Sequence, residues 1–352
     1  MSKVYLTKFN SHSFSTNIPN KIKKLYGKVA MENGDNDLVA IKLHFGEKGN
    51  TTFIHPVYVR TIVDLLKESK YKPFLTDTNT LYTGSRTNSI DHITTAIENG
   101  FAFSVVNAPI IISDGINSKN FYDVEINKKH FDKVKIASDI ENVRYMVVLS
   151  HFKGHGMGGF GGAVKNLAMG CASASGKMMQ HSDAAPKVKE EKCIGCGLCV
   201  KECPVKAISL LDKKAIIDKE TCYGCGECVT RCPVRAISNS WKTDNSTFLE
   251  KMVEFAYGAV KNKEKLVYIN FLMNVTPLCD CVPWSGEKLV NDIGILASDD
   301  PIALDSACND LVKESAGRDV FKELYPEIKS ERLLEYGEEI GLGTRSYELL
   351  EI

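Results

Sequence analysis

Apolar runs of five to eight residues alternate along this chain with longer stretches in which apolar positions recur every three or four residues. That alternation predicts an α/β fold, a layered domain built on a mostly parallel sheet. Strands are expected at Val4–Lys8, Leu38–Phe45, Pro73–Asp77, Val105–Ile112, Tyr145–His151, Leu266–Phe271 and Ile293–Ala297. The clearest helices are expected at Val57–Lys70, Ser89–Asn99, Thr247–Lys261, Ile302–Ser315 and Glu331–Ile340. The alternation stops near residue 186 and resumes after residue 240, so the chain reads as one α/β domain, 1–185 and 241–352, with residues 186–240 inserted. The turn Ala184-Ala185-Pro186 and the polar stretch Asn239–Asn245 bracket the insert.

The insert carries two copies of one cysteine pattern. The first is Cys193, Cys196, Cys199, Cys203-Pro204 and the second Cys222, Cys225, Cys228, Cys232-Pro233. Aligned at an offset of 29 residues, Glu191–Leu210 and Glu220–Asn239 are identical at 13 of 20 positions. This is the spacing by which bacterial ferredoxins hold two [4Fe-4S] clusters, each run giving three thiolates to one cluster and its fourth to the other. Cys193, Cys196, Cys199 and Cys232 are then expected on the first cluster, and Cys222, Cys225, Cys228 and Cys203 on the second. Zinc sites space their ligand pairs differently, and structural disulfides belong to secreted chains.

Polar residues gather where the strands should end. In LVAIKLHFG, Lys42 and His44 share one face of a strand that helices on both sides would make almost wholly apolar. Asp77 and Asn79 follow the next strand, where they either cap or turn the chain or face a ligand. Beyond Tyr145–His151, an extended segment would point His151, Lys153 and His155 the same way. The glycine-rich run Gly154–Gly162 then leads into a short helix, Ala163–Met169, with Lys165 and Asn166 near its start. A dinucleotide fingerprint lacks its acidic partner here, and a P-loop lacks its GK[ST]. What remains is a turn whose amides, at Gly156, Gly158 and Gly159, could bind an anion beside Lys165. The pair Cys279 and Cys281 reads as buried thiols, as a third metal centre or as a redox partner of a cluster. A flavin has no visible fingerprint, although the sequence leaves room for one or for a third metal.

Lys plus Arg equals Asp plus Glu, 44 each, so no global field draws the chain to nucleic acid or an anionic membrane. No apolar stretch approaches membrane-spanning length, and MSKVYLTKF does not read as a secretion signal. A cytoplasmic location, anaerobic or strongly reducing, is expected.

The segments HFGE, AVKNLAMG, the CDC run followed by Pro283-Trp284, and DIGILASDDPIALDSA together resemble the uncharacterised iron–sulfur centre proteins of domain-of-unknown-function family 362. The resemblance covers nearly the whole chain. It implies an α/β fold and [4Fe-4S] clusters, and it draws attention to His44, His151, Lys153, His155, Lys165, Asn166, Asp280, Asp300 and Asp305, without implying a reaction. Three functions compete. In the first, a ferredoxin-coupled oxidoreductase passes electrons to a small anionic substrate, served by a ferredoxin or reductase partner; Lys42 and Asp77 would line its pocket, and His44, His151, Lys153 or His155 would supply protons. The second is a non-enzymatic carrier or a donor in cofactor or cluster assembly. The third is a non-redox enzyme with structural clusters. Oligomeric state is left open.

Overall fold

The computed structural model describes residues 1–81, 84–181, 186–203, 205–219, 221–222, 226–238 and 244–352. Cys225, the bracketing residues Ala184 and Ala185, and residues 239–243 lie outside the described residues. Eight strands form the central sheet: β1 (Ser2–Lys8), β2 (Leu38–Lys42), β3 (Lys72–Asp77), β4 (Ile110–Ile112), β5 (Tyr145–His151), β6 (Lys265–Leu272), β7 (Gly294–Ser298) and β8 (Tyr347–Glu351). Their spatial order is β8-β1-β7-β6-β5-β2-β3-β4. Every neighbouring pair is parallel except the two that involve β7.

Helices cover both faces. α1 (Ile18–Tyr26) and α2 (Pro56–Glu68) bury Ile22, Leu25, Val59 and Ile62 against Ile41, Leu75 and Val147 on one side. On the other side lie α3 (Ala163–Gly170), α4 (Ala174–His181), α5 (Asn245–Val260) and α6 (Pro301–Ala316), with Leu167, Phe255 and Ile302 packed over Ala40, Met146 and Val148. Each such fully buried aliphatic contributes about 1.5–3 kcal/mol over its exposed state. No helix among the described residues is long and apolar enough to cross a membrane.

Two expectations need correction. The run Val105–Ile112 is not one strand: a helical turn, Phe103–Val106, ends at Asn107 in the left-handed conformation (φ 59°), and only Ile110–Ile112 joins the sheet. Pro109 explains part of this, since it disfavours helix in the residue before it. The strand expected at Leu38–Phe45 leaves the ladder after Lys42. His44 therefore stands beyond the strand, free to turn into a crevice.

Chain order sets where that crevice lies. β2, β3 and β4 step outward in one direction, and β5 then returns to the opposite side of β2. The register pairs Val39 with Tyr145 and Lys42 with Val148, so the carboxyl ends of β2 and β5 diverge side by side. Open α/β sheets bind ligands at such a switch point.

Candidate functional site

A cavity of about 310 Å³ opens at the β2/β5 switch point. Lys42, His44, Asp77, His151, Lys153, His155, Lys165 and Asn166 all line it, as does Cys281. Arg86, Lys177 and His181 join them, although nothing in the sequence pattern singles these three out. Five lysine or arginine side chains thus face the cavity against one carboxylate among its described lining, Asp77.

The cations divide by what already holds them. Lys42 is 1% exposed and saturated: its Nζ donates to Asn166 Oδ1 (2.7 Å) and Leu43 O (3.0 Å) and pairs with Asp77 Oδ1 (2.9 Å). Gly170 makes room for it, since a Cβ there would lie 2.2 Å from Lys42 Nζ. Asn166 in turn donates to Leu149 O (2.9 Å) and Ser150 Oγ (3.0 Å), tying α3 to β5. Burial would raise the Asp77 carboxyl, but Lys42, with Arg86 and the His92 and His44 rings around it, outweighs it and holds it far below the carboxylate range. Arg86 donates to Glu47 Oε2 (3.1 Å). Lys177 donates to Thr78 Oγ1, Asn79 O and Ala172 O at 2.6–3.0 Å, and burial brings its ammonium down to about 8.

Lys165 differs. It has no hydrogen bond or ion pair among the described residues, and burial, helped by Lys153, depresses it to about 7. Its neighbour Lys153 donates to His151 O (2.6 Å) and pairs with Asp280 Oδ2 (3.3 Å).

The histidines also separate. His151 meets acceptors at both ring nitrogens: Nδ1 faces the Asp280 carboxylate (2.8 and 3.0 Å) and Nε2 faces Met273 O (2.7 Å). Both ring nitrogens are therefore engaged by the protein itself, and the ring positions Asp280. Burial opposes the Asp280 charge, yet His151 and Lys153 prevail and hold its carboxyl well below its usual range. His44 accepts at Nδ1 from the Gly46 amide (2.9 Å), which leaves Nε2–H as the free edge. Burial and then Arg86 keep it neutral, with its pKa pushed well below the ordinary value. His155, depressed by burial, Lys165 and His181, is neutral as well.

The glycine-rich run does not present an open helix end. The Ala163 and Val164 amides at the start of α3 donate to the Asp305 carboxylate at 2.8 and 3.0 Å, so the anion at that terminus is the protein's own. Gly156 is exposed, while Gly158 and Gly159 pack on His155 and Ser330; none of the three lines the cavity. His151 ends β5, and Lys153–His155 forms a separate hairpin with Gly159–Gly161, which still brings Lys153 and His155 to the cavity. Asp300 caps α6 through the Ile302 and Ala303 amides (both 2.9 Å). Cys279 and Cys281, expected as thiols or as a third centre, are joined in a disulfide. Among the described residues, no three His, Cys, Asp or Glu side chains gather as a single metal ion requires.

The cysteine-rich segment builds two near-copies. Short helices Leu198–Glu202 and Glu227–Arg231 each start at a left-handed glycine, Gly197 (φ 73°) and Gly226 (φ 74°). Cys193, Cys196, Cys199 and Cys232 surround one small cavity, and Cys203, Cys222 and Cys228 surround another. Equivalent amides reach the fourth cysteine of each run: Ala207 N donates to Cys203 Sγ and Ala236 N to Cys232 Sγ, both at 3.2 Å. Backbone amides of Ala215 and Gly195 lower the Cys193 thiol. The segment abuts α4, where Met178 fills the space above Gly226 and Glu227 pairs with Lys135 (2.9 Å).

Fold and site together define a mostly parallel α/β protein with a cation-lined pocket at its switch point. The chain belongs to the family described as Domain of unknown function (DUF362), which it matches over residues 39–310. Among solved structures it is similar to the lactate racemase apoprotein from Thermoanaerobacterium thermosaccharolyticum, with 13% identity and a TM-score of 0.41 over 76% of this chain. The match covers 50% of that protein, so this chain spans about half its length. No curated protein matches.

Proposed function

We propose that this chain is an iron–sulfur oxidoreductase, with two [4Fe-4S] clusters in the cysteine-rich segment serving a small anionic substrate in the switch-point pocket. The observation that carries the proposal is the crossed membership of the two cysteine cavities. Cys232, from the second run, closes the cavity of the first, and Cys203, from the first, lies in the cavity of the second. Four thiolates around a space, rather than converging on a point, suit a cube, which has one thiolate on each iron. The amides that reach Cys203 and Cys232 suit charged sulfur. Such clusters supply one-electron transfer.

The chain's own residues account for the rest. Arg86, Lys153 and Lys165 attract an anion into the pocket, and the pairs made by Lys42 keep its walls rigid. His44, oriented by the Gly46 amide, presents Nε2–H to the ligand, and Lys165 exchanges a proton near neutral pH. α4 contributes Lys177 and His181 to the pocket while Met178 on the same helix packs at Gly226, so one short helix joins the two sites. A separate electron-carrier protein is the natural partner for the clusters. A bare carrier would need no pocket with this excess of cations.

The experiment is anaerobic purification followed by metal and sulfide analysis and then oxidant titration. About eight iron and eight sulfide per chain are expected, with the reduced clusters reoxidised by at least one small organic anion, and Lys165→Met is expected to weaken that reaction tenfold or more. Iron near zero, or clusters inert toward the whole panel, would overturn the proposal.

A further inference from the structure

The disulfide between Cys279 and Cys281 has little to do as a structural clip. It closes a loop of three residues, and the entropy a crosslink removes from the unfolded chain is smallest for the shortest loops. Its position is more telling. Cys279 is buried, Cys281 is half-buried and lines the pocket wall, and Asp280 between them is the residue that His151 and Lys153 hold. The segment is fixed further by the Glu47 amide donating to Asp280 O (2.9 Å). A sulfur bond is thereby presented to the same cavity that Arg86, Lys153 and Lys165 make electropositive.

We propose that Cys279 and Cys281 are a redox-active dithiol/disulfide couple belonging to the pocket, with Cys281 the sulfur that meets the ligand. This rests on the oxidoreductase reading above. In the forward step the S–S bond breaks, two electrons enter from a low-potential one-electron donor of the iron–sulfur class in two deliveries, and two protons taken from solvent complete two thiols. In reverse, the dithiol gives two electrons and two protons to an oxidised anionic acceptor and the bond re-forms. The couple thus joins one-electron supply to two-electron chemistry. Cations near a sulfur favour its thiolate, and stabilising the reduced form makes a disulfide easier to reduce. The Cys281 amide, 3.4 Å from Cys279 Sγ, does the same for the buried partner. Disulfides that form in reducing compartments are usually catalytic or redox-sensing.

The test is thiol trapping on the full-length, iron-loaded protein under native conditions. The protein is poised in a graded series of dithiothreitol buffers, alkylated anaerobically and read by peptide mass spectrometry, with iron content and visible spectrum recorded on the same samples. Cys279 and Cys281 should convert together along a two-electron curve, and Cys281→Ser should leave Cys279 alkylated at every poise. A bond that opens only in denaturant, or two thiols alkylated at every poise, would overturn the proposal on wild-type protein alone. If the pair titrates but iron is absent, the cluster reading falls and this couple stands; a full iron complement with an inert pair overturns the couple and leaves the cluster reading in place.

Discussion

Lys165 is the only lysine of the pocket with neither hydrogen bond nor ion pair among the described residues, and burial brings its ammonium to about 7. An unfolded lysine titrates near 10.4. Between these values the unfolded chain binds the extra proton, so the contribution of Lys165 to the stability of the ligand-free protein should rise with pH from about 7 to about 10 and be flat below. Anion affinity should run the other way. Sulfate, which does not itself titrate in this range, should bind progressively more weakly by calorimetry as pH rises through about 7, and Lys165→Met should remove the part of each profile that begins near pH 7, leaving the rise that Lys177 contributes to stability from about 8. Asp280 poses the reverse problem, because it is 0% exposed and holds both the His151 ring and the Lys153 ammonium. Asp280→Asn leaves the buried Lys153 ammonium without its carboxylate and weakens the bond to His151, and should cost about 3–5 kcal/mol in urea unfolding.

At the scale of elements, α3 depends on a carboxylate from α6. Asp305 accepts from two amides at its start and from Asn270 Nδ2 (2.7 Å). Asp305→Ala should therefore raise amide exchange at Ala163 and Val164 and cost about 1–3 kcal/mol for the unsatisfied donors; anion binding should weaken with it, since Lys165 and Asn166 sit in that first turn. The strand ends are legible in the sequence because Lys42 and His44 interrupt an apolar run, and Tyr145–His151 is bounded by its own apolar content. Arg86 and Lys177 escape notice for a physical reason. Arg86 arrives from a loop, and Lys177 lies in ASGKMMQH, whose small residues give no amphipathic period although the helix is buried nearly all round. The hairpin Phe121–Glu125 with Lys133–Ala137 and the edge strand β8 carry too weak a pattern to be read, because Phe121–Glu125 and β8 each expose much of their length. Asp300 and Asp305 are visible as polar residues in an apolar stretch, but nothing local separates a cap from a ligand.

For the whole molecule, the two large cores flank the eight-stranded sheet, whereas the cysteine-rich segment has only a small core in which Cys199 and Cys228 are themselves members. Too little apolar surface is gathered there for independent stability. If the cysteine-rich segment holds the proposed clusters, their oxidative removal should leave the far-UV circular dichroism of the sheet domain nearly unchanged while limited proteolysis cuts between residues 186 and 240; cleavage spread over the whole chain would contradict this. Finally, the His181 ring, at the end of α4, stacks on Phe248 near the start of α5 with centroids 4.9 Å apart. The polypeptide thus departs toward the cysteines and comes back at almost one point, like a detour that rejoins the road where it left. A short linker from His181 to Asp244 could bypass the detour, yielding a protein that keeps the pocket and its disulfide, lacks the cysteine-rich segment, and can be assayed for whatever the pocket does unaided.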